Sequence, residues 1–126
     1  MAPAKVLVVE DNRMNLELAT DLLRIQGHEA LAARTADEAL SLLEEVTPDL
    51  ILMDIQLPGL SGLDLTRHLK EDGRTKEVPI IAITAYAMTG DDEKALKAGC
   101  DGYIPKPINF KQFSRVVEDV LGRRGK

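Results

Sequence analysis

Short apolar runs alternate with helix-period segments along the whole chain, and this alternation limits the possible folds more than any other feature. Three runs, Val6-Leu7-Val8-Val9, Leu50-Ile51-Leu52-Met53 and Pro79-Ile80-Ile81-Ala82-Ile83, are nearly continuous in apolar character. Runs of this kind are typical of parallel strands that are covered on both faces. Their alternation with helices predicts repeated βα units and a mainly parallel sheet.

The pattern predicts five strands and five helices in strict alternation. The two weaker strands are 29–33 and 102–104, and the helices cover 13–26, the segment after Thr35, about 63–70, 91–98 and the segment after Asn109. Thr35-Ala36-Asp37-Glu38 matches a capping box, and Gly27 is placed as a C-terminal cap. The last helix has the clearest amphipathic stripe, formed by Phe113, Val116, Val117, Val120 and Leu121.

The composition fits one globular domain over residues 1–126, with a core at about 5–122 and no output domain. The formal net charge of -5 argues against a general nucleic-acid binder, because phosphate contacts need a basic face. No run approaches the ~20 apolar residues that span a bilayer, and Cys100, His28 and His68 show no zinc spacing. We expect a cytoplasmic protein that contacts neither nucleic acid nor membranes directly.

Five polar side chains fall at the predicted strand ends. Glu10 and Asp11 follow the first strand, Asp54 the third, Thr84 the fourth and Lys106 the fifth. Because ligands of open parallel sheets bind beyond the carboxyl ends of the strands, we expect the topology to gather these groups. Carboxylate oxygens suit Mg²⁺, and three close carboxylates raise at least one pKa unless a cation intervenes. An ionised Asp54 could then act as a nucleophile toward a phosphoryl group.

Taken singly, most of these residues have ordinary structural interpretations. Glu10, Asp11 and Asn12 are typical of helix caps and first turns, Thr84 of a strand, and Lys106 of a solvated surface. Asp54 is different, because an acid that follows four apolar residues needs partners. We therefore expect Asp54 to be functional.

Together the strand-end sequences resemble the receiver domain of two-component response regulators. The matching stretches are Val8-Val9-Glu10-Asp11-Asn12, Leu52-Met53-Asp54-Ile55-Gln56-Leu57-Pro58-Gly59 with Ser61-Gly62, Ile83-Thr84-Ala85, and Gly102-Tyr103-Ile104-Pro105-Lys106-Pro107. The resemblance implies an α/β, doubly wound (βα)5 flavodoxin-like fold, with a five-stranded parallel sheet in the order 2-1-3-4-5 and helices on both faces. The first helix is similar to that of the DivK-like regulators of bacterial cell division.

The resemblance implies a role for each acid. Asp54 would be the phosphoacceptor, and Glu10, Asp11 and Asp54 would hold Mg²⁺ together with the backbone carbonyl of Gln56. Mn²⁺ would be able to substitute for Mg²⁺. Because the first acid in the family is often Asp, the longer Glu10 would change how directly it meets the metal.

The resemblance also implies roles on the other side of the site. Thr84 and Lys106 would bind the phosphoryl oxygens, and the Lys106-Pro107 peptide would be cis. On phosphorylation Thr84 would move toward the phosphate and Tyr103 would turn inward. This movement would remodel the face of predicted helix four, strand five and helix five.

Three residues would control access to the phosphate. Ala85 carries only a methyl group and leaves room for the phosphoryl donor. Gln56 and Tyr86 would flank the route of hydrolytic water, and we expect the bulky Tyr86 to slow the loss of phosphate.

The resemblance thus implies a single-domain signalling switch that catalyses only its own phosphorylation and dephosphorylation. Its partners would be a sensor histidine kinase, a histidine phosphotransfer protein or both, and it would be a monomer that can dimerise on phosphorylation. One alternative is a Mg²⁺-dependent aspartyl-phosphate phosphohydrolase, although such enzymes resemble Asp-x-Asp and position 56 is Gln. Others are a receiver fragment of a larger regulator or hybrid kinase, a flavodoxin-like cofactor binder and a structural adaptor.

Overall fold

One parallel sheet forms the centre of the molecule in a computed structural model that describes residues 3–57, 61–84 and 96–124. Its strands are β1 (Lys5–Val9), β2 (Glu29–Ala33), β3 (Leu50–Asp54), β4 (Ile80–Thr84) and β5 (Gly102–Pro105). Their spatial order is β2-β1-β3-β4-β5, and every neighbouring pair is parallel. The predicted doubly wound sheet is therefore confirmed.

The helices alternate with the strands along the chain. They are α1 (Arg13–Ile25), α2 (Ala36–Glu45), α3 (Gly62–Glu71), α4, of which residues 96–98 are described, and α5 (Phe110–Arg124). The predicted start of the fourth helix at 91 lies outside the described residues. Among the described helices, none has both the length and the apolar character that a bilayer crossing requires.

Two hydrophobic cores cover the two faces of the sheet, because successive strand residues point to opposite faces. Leu7, Val9, Ile51 and Met53 face α2 and α3, whereas Val6, Val8, Leu50 and Leu52 face α1 and α5. All residues of β3 and β4 are buried. This two-sided burial explains why these strands are continuous apolar runs in the sequence.

The helix starts follow the predicted capping residues. Asn12, Thr35 and Asn109 each accept a hydrogen bond from the backbone N–H three residues later. The capping box differs in one respect, because the carboxylate of Glu38 accepts from the backbone N–H of Arg34, at 3.4 Å, and from the Thr35 hydroxyl. The N-terminus of α2 is thus tied to the end of β2.

The element boundaries differ from the sequence predictions by single residues. α1 ends at Ile25, with Gln26 as its cap, and Gly27 follows with a φ of 92° that suits glycine. Asp54 and Thr84 are the last residues of β3 and β4, because Asp54 still pairs with Ile83 of β4. The two polar side chains therefore lie on the rigid sheet and not in the loops after it.

Candidate functional site

The predicted polar residues come together at the carboxyl ends of β1, β3, β4 and β5. Glu10 directly follows β1, Asp54 and Thr84 end β3 and β4, and Lys106 directly follows β5. The backbone fixes this edge, since the N–H of Lys106 donates to the carbonyl of Thr84 at 2.7 Å. The predicted convergence of sequence-distant groups is therefore present in the fold.

Three acids and one lysine form the centre of the site. Carboxylate oxygens of Glu10, Asp11 and Asp54 lie within 4.8 Å of one another. Lys106 Nζ lies 2.9 Å from Glu10 Oε1 and 3.5 Å from Asp54 Oδ2. Glu10 and Asp54 are only 1% and 3% exposed. The two buried carboxylates, of Glu10 and Asp54, thus share one close ammonium group.

The turn after β3 holds the Asp54 carboxylate in place. The backbone N–H of Gln56 donates to Asp54 Oδ1 at 2.9 Å, while the Gln56 side chain is exposed. Gly62, the first residue of α3, packs directly on this segment, and its N–H donates to the carbonyl of Ile55. A Cβ at position 62 would overlap the carbonyl oxygen of Asp54. Only glycine lets α3 begin so close to the acid.

The pKa values of Glu10 and Asp54 shift in opposite directions. Burial, reinforced by the neighbouring Asp54 carboxylate and only partly offset by Lys106, raises the pKa of Glu10 to about 7. Burial also favours the neutral form of Asp54, but its contacts with Glu10, the Gln56 amide and Lys106 outweigh burial and lower its pKa. Without a metal, the site favours the protonated form of Glu10 and the ionised form of Asp54.

The donor set fits a hard divalent cation. Both carboxylate oxygens of Glu10 are buried; Lys106 Nζ lies 2.9 Å from Oε1, and no backbone N–H of the described residues donates to either oxygen. Buried carboxylate oxygens without donors are costly unless a cation compensates for them. Three carboxylates on a partly open edge match the preference of Mg²⁺ for a few oxygen ligands and water.

The other predicted site residues divide into three groups. Thr84 is fully buried at the site, and the Lys106-Pro107 peptide is cis, as predicted. Tyr103 is 37% exposed and lies on β5, the last strand in the sheet order. Ala85 and Tyr86 lie outside the described residues, so their predicted roles in phosphate access are not tested.

Two contacts of the site are absent from the sequence predictions. The close approach of Gly62 is one, and the Ser61-Gly62 pair at a helix start was its only sequence signal. The other is Arg34, at the end of β2, whose guanidinium donates to the backbone carbonyl of Asp11 at 3.4 Å. A basic residue at a strand end is too common to have predicted this contact.

His28, which shows no zinc spacing in the sequence, has a structural role. Its ring is buried, its Nδ1 accepts from the Ala4 amide at 3.0 Å, and its Nε2 lies 3.3 Å from Glu118 Oε1. Gln26 donates to the same Glu118 oxygen at 3.0 Å. This polar cluster joins the end of α1 to α5, away from the acids.

Comparisons with known proteins agree with this geometry. Residues 6–118 match the response regulator receiver domain model. The chain is 47% identical over 120 residues to the polar-differentiation response regulator DivK of Brucella anthropi. This match covers 95% of this chain and 98% of that protein.

Solved structures give the same result. A putative response regulator from Chloroflexus aurantiacus has a TM-score of 0.92 and 29% identity, covering 97% of this chain and all of that one. The receiver domain of sensor histidine kinase PA1611 from Pseudomonas aeruginosa, with magnesium coordinated in its active-site cleft, has a TM-score of 0.87 and 35% identity, covering 96% and 99% of the two chains. The chain therefore belongs to the receiver domain family of response regulators, which act in two-component signalling.

Proposed function

We propose that this receiver takes a phosphoryl group from a phosphohistidine donor onto Asp54. The observation that carries this proposal is the arrangement of an ionised, buried Asp54 beside two further acids and 3.5 Å from Lys106. Receiver domains bind Mg²⁺ at such an acidic site, and we assign Glu10, Asp11, Asp54 and the carbonyl of Gln56 as its ligands. Mn²⁺ is expected to substitute, because it accepts the same oxygen donors.

In the proposed transfer, a carboxylate oxygen of Asp54 forms a bond to phosphorus while the bond from phosphorus to the donor's imidazole nitrogen breaks. The Gln56 amide holds Asp54 Oδ1, which fixes the carboxylate plane relative to the incoming group. Bound Mg²⁺ would stabilise the negative charge on the transferring oxygens. Lys106 supplies the second positive charge from the β5 side, and burial of the pair limits screening by solvent.

The same residues support a switch that works by population shift. A phosphoryl group on Asp54 adds up to two negative charges beside Lys106 and Thr84. We assign Thr84 and Lys106 to its oxygens and Tyr103 as the side chain that turns inward, so that the α4-β5-α5 surface changes. Phosphorylation shifts the equilibrium only by the difference in its interactions with the two conformations.

Access to the phosphate sets its lifetime. We assign Ala85, Gln56 and Tyr86 to this role from the family resemblance, and the exposed Gln56 side chain is consistent with it. A Tyr86→Ala protein is expected to lose phosphate faster than the wild type when the aspartyl phosphate is followed by intact mass over time. An unchanged or longer half-life would remove Tyr86 from this role.

The signalling partners are proposed by class. Receiver domains interact with histidine kinases and phosphotransfer proteins, and we infer one of these as the phosphodonor here. The similarity to the polar-differentiation response regulator of Brucella anthropi supports a role in cell polarity, and we propose a role in cell division as well. We further propose a cytoplasmic monomer that can dimerise on phosphorylation, without direct nucleic-acid contact.

Intact-mass analysis after incubation with acetyl phosphate and Mg²⁺ tests the proposal. The wild type is expected to gain the mass of one phosphoryl group, and Asp54→Asn is expected to gain none. Asp64→Asn, which changes an exposed acid on α3, is the matched control and should label like the wild type. Labelling that persists in Asp54→Asn, or that is unaffected by removal of Mg²⁺ with EDTA, would refute the proposal.

The phosphohydrolase alternative lacks one required group. Such an enzyme needs a second acid two residues after its nucleophile as proton donor, and Gln56 cannot release a proton from its amide. Stoichiometric labelling without multiple turnover is therefore the expected result.

A further inference from the structure

The outer edge of β2 is an unpaired strand edge. β2 is the first strand in the sheet order, and its only partner among the described residues is β1. The Glu29 amide and the Ala33 carbonyl both bond toward the β1 side. Because alternate residues of a parallel strand bond to the same neighbour, the N–H and C=O groups of Ala30 and Ala32 point outward.

The side chains along this edge do little to block it. Natural edge strands are usually protected by charged residues or proline. Between Glu29 and Arg34, β2 contains only Ala30-Leu31-Ala32-Ala33. Beside it lies a groove of about 370 Å³, lined by Ala32, Asp37, Glu38, Ser41 and Leu42. The edge thus combines free backbone groups with an apolar strip and an acidic rim.

The helix that borders this groove has a single sign of charge. α2 contains four acids, Asp37, Glu38, Glu44 and Glu45, and the chain has no Lys or Arg from residue 35 to residue 66. Glu44 and Glu45 lie in the last turn of α2, where the helix dipole disfavours negative charge. Helix stability would favour basic residues in this turn. A positively charged partner would instead be attracted by Glu44 and Glu45.

We propose that β2 and the groove beside it form a docking site for an extended, basic segment of a partner protein. The segment would pair with the outward backbone groups of Ala30 and Ala32 and extend the sheet by one strand. Its alternate side chains would be basic on the α2 face, toward the acids of α2, and apolar on the opposite face, beside Ala30 and Ala32.

Charge decides between this partner and a second copy of the chain. Two-fold pairing of β2 with itself would place two acidic α2 helices side by side, which like charges oppose. Within α2, Glu38 is already engaged with Arg34 and Thr35. The acids available to a basic segment are therefore Asp37, Glu44 and Glu45.

Fluorescence anisotropy with a short labelled peptide in which Lys and Val alternate tests this proposal on the full chain. We expect Glu44→Gln/Glu45→Gln to weaken peptide binding about fivefold or more while leaving the fold at least as stable, because the change relieves the helix dipole. Ala32→Lys should abolish binding, since it places a long charged side chain at the paired edge, beside the apolar side chains of the segment. The matched control Glu71→Gln/Glu77→Gln removes two exposed acids elsewhere and should bind like the wild type.

Two further measurements separate strand pairing from general charge attraction. The alternating peptide should slow hydrogen exchange at the amides of Ala30 and Ala32, and a peptide with the same Lys and Val residues in two blocks should bind more weakly. No binding, equal binding of the block peptide, or equal weakening in the control pair would overturn the proposal. Self-association of the protein that the peptide competes with would assign the edge to a second copy and also overturn it.

Discussion

Replacing Glu10 with Gln should stabilise the metal-free protein at alkaline pH and remove its response to Mg²⁺. Glu10 is 1% exposed, and Lys106 Nζ lies 2.9 Å from its Oε1. Gln has nearly the same shape but no charge. Lys106 keeps the Asp54 carboxylate at 3.5 Å in this variant, so the substitution leaves no cation without a partner.

The raised pKa gives the size and the sign of the effect. The pKa of Glu10 rises from 4.5 to about 7 on folding, mainly through burial. Between these values the folded protein holds more protons than the unfolded chain, so stability falls as the pH rises through this window and is then level. The shift corresponds to about 3 kcal/mol above pH 7. Glu10→Gln should therefore match the wild type near pH 4.5 and exceed it by up to about 3 kcal/mol at pH 8 in EDTA.

Urea unfolding followed by far-UV circular dichroism measures this difference, since the chain has no Trp. Saturating Mg²⁺ at pH 8 should raise the midpoint of the wild type and leave Glu10→Gln almost unchanged. Glu71→Gln, at an exposed position on α3, is the control and should show the wild-type pH dependence. The argument would be refuted by a Glu10→Gln protein that is less stable than the wild type at pH 8. It would also be refuted if the difference in unfolding free energy from the wild type were the same at pH 4.5 and pH 8.

Substitutions at three further positions test the close approach at the site, a glycine with positive φ and the polar cluster between α1 and α5. Gly62→Ala should lower stability by about 1–3 kcal/mol or more and slow phosphorylation of Asp54, because a Cβ would overlap the Asp54 carbonyl oxygen. Urea unfolding would show the loss of stability, and intact-mass labelling would show the slower phosphorylation. Gly99→Ala should cost about 1–2 kcal/mol by urea unfolding, since Gly99 has a φ of 111°. Glu118→Ala should cost about 1–3 kcal/mol because it removes the acceptor near His28 Nε2, whereas Glu118→Gln should cost less; equal losses would contradict this role.

Most of the fold could be predicted because its strands differ from its helices in hydrophobic period. β1, β3 and β4 are covered on both faces, so their sequences are continuous apolar runs. The helix starts were predictable for a separate, local reason, since Asn12, Thr35 and Asn109 cap through their own side chains. The errors were confined to strand and helix ends, where pairing with a neighbouring strand decides whether Asp54 still belongs to β3.

The members of the site could be predicted, but their electrostatic roles could not. Strand-end position was enough to bring together Glu10, Asp54 and Lys106. The sequence predicted that one acid in the cluster would have a raised pKa, but it did not indicate which one. That outcome depends on donors such as the Gln56 amide, which reaches Asp54 only because the turn folds back. The space required by Gly62 likewise depends on a three-dimensional approach between α3 and β3.

The opposite behaviour of two buried acids follows from the supply of hydrogen-bond donors. The contact with Glu10, the Gln56 amide and Lys106 lower the pKa of Asp54, whereas burial and the same contact with Asp54 raise the pKa of Glu10 and Lys106 offsets them only in part. An arrangement selected for stability alone would give Glu10 a further donor beside Lys106 or replace it with an apolar residue. Because neither change is present, the negative charge at Glu10 is most costly in the metal-free protein and is stabilised most by a divalent cation. The same division leaves Asp54, the proposed nucleophile, ionised before the metal arrives.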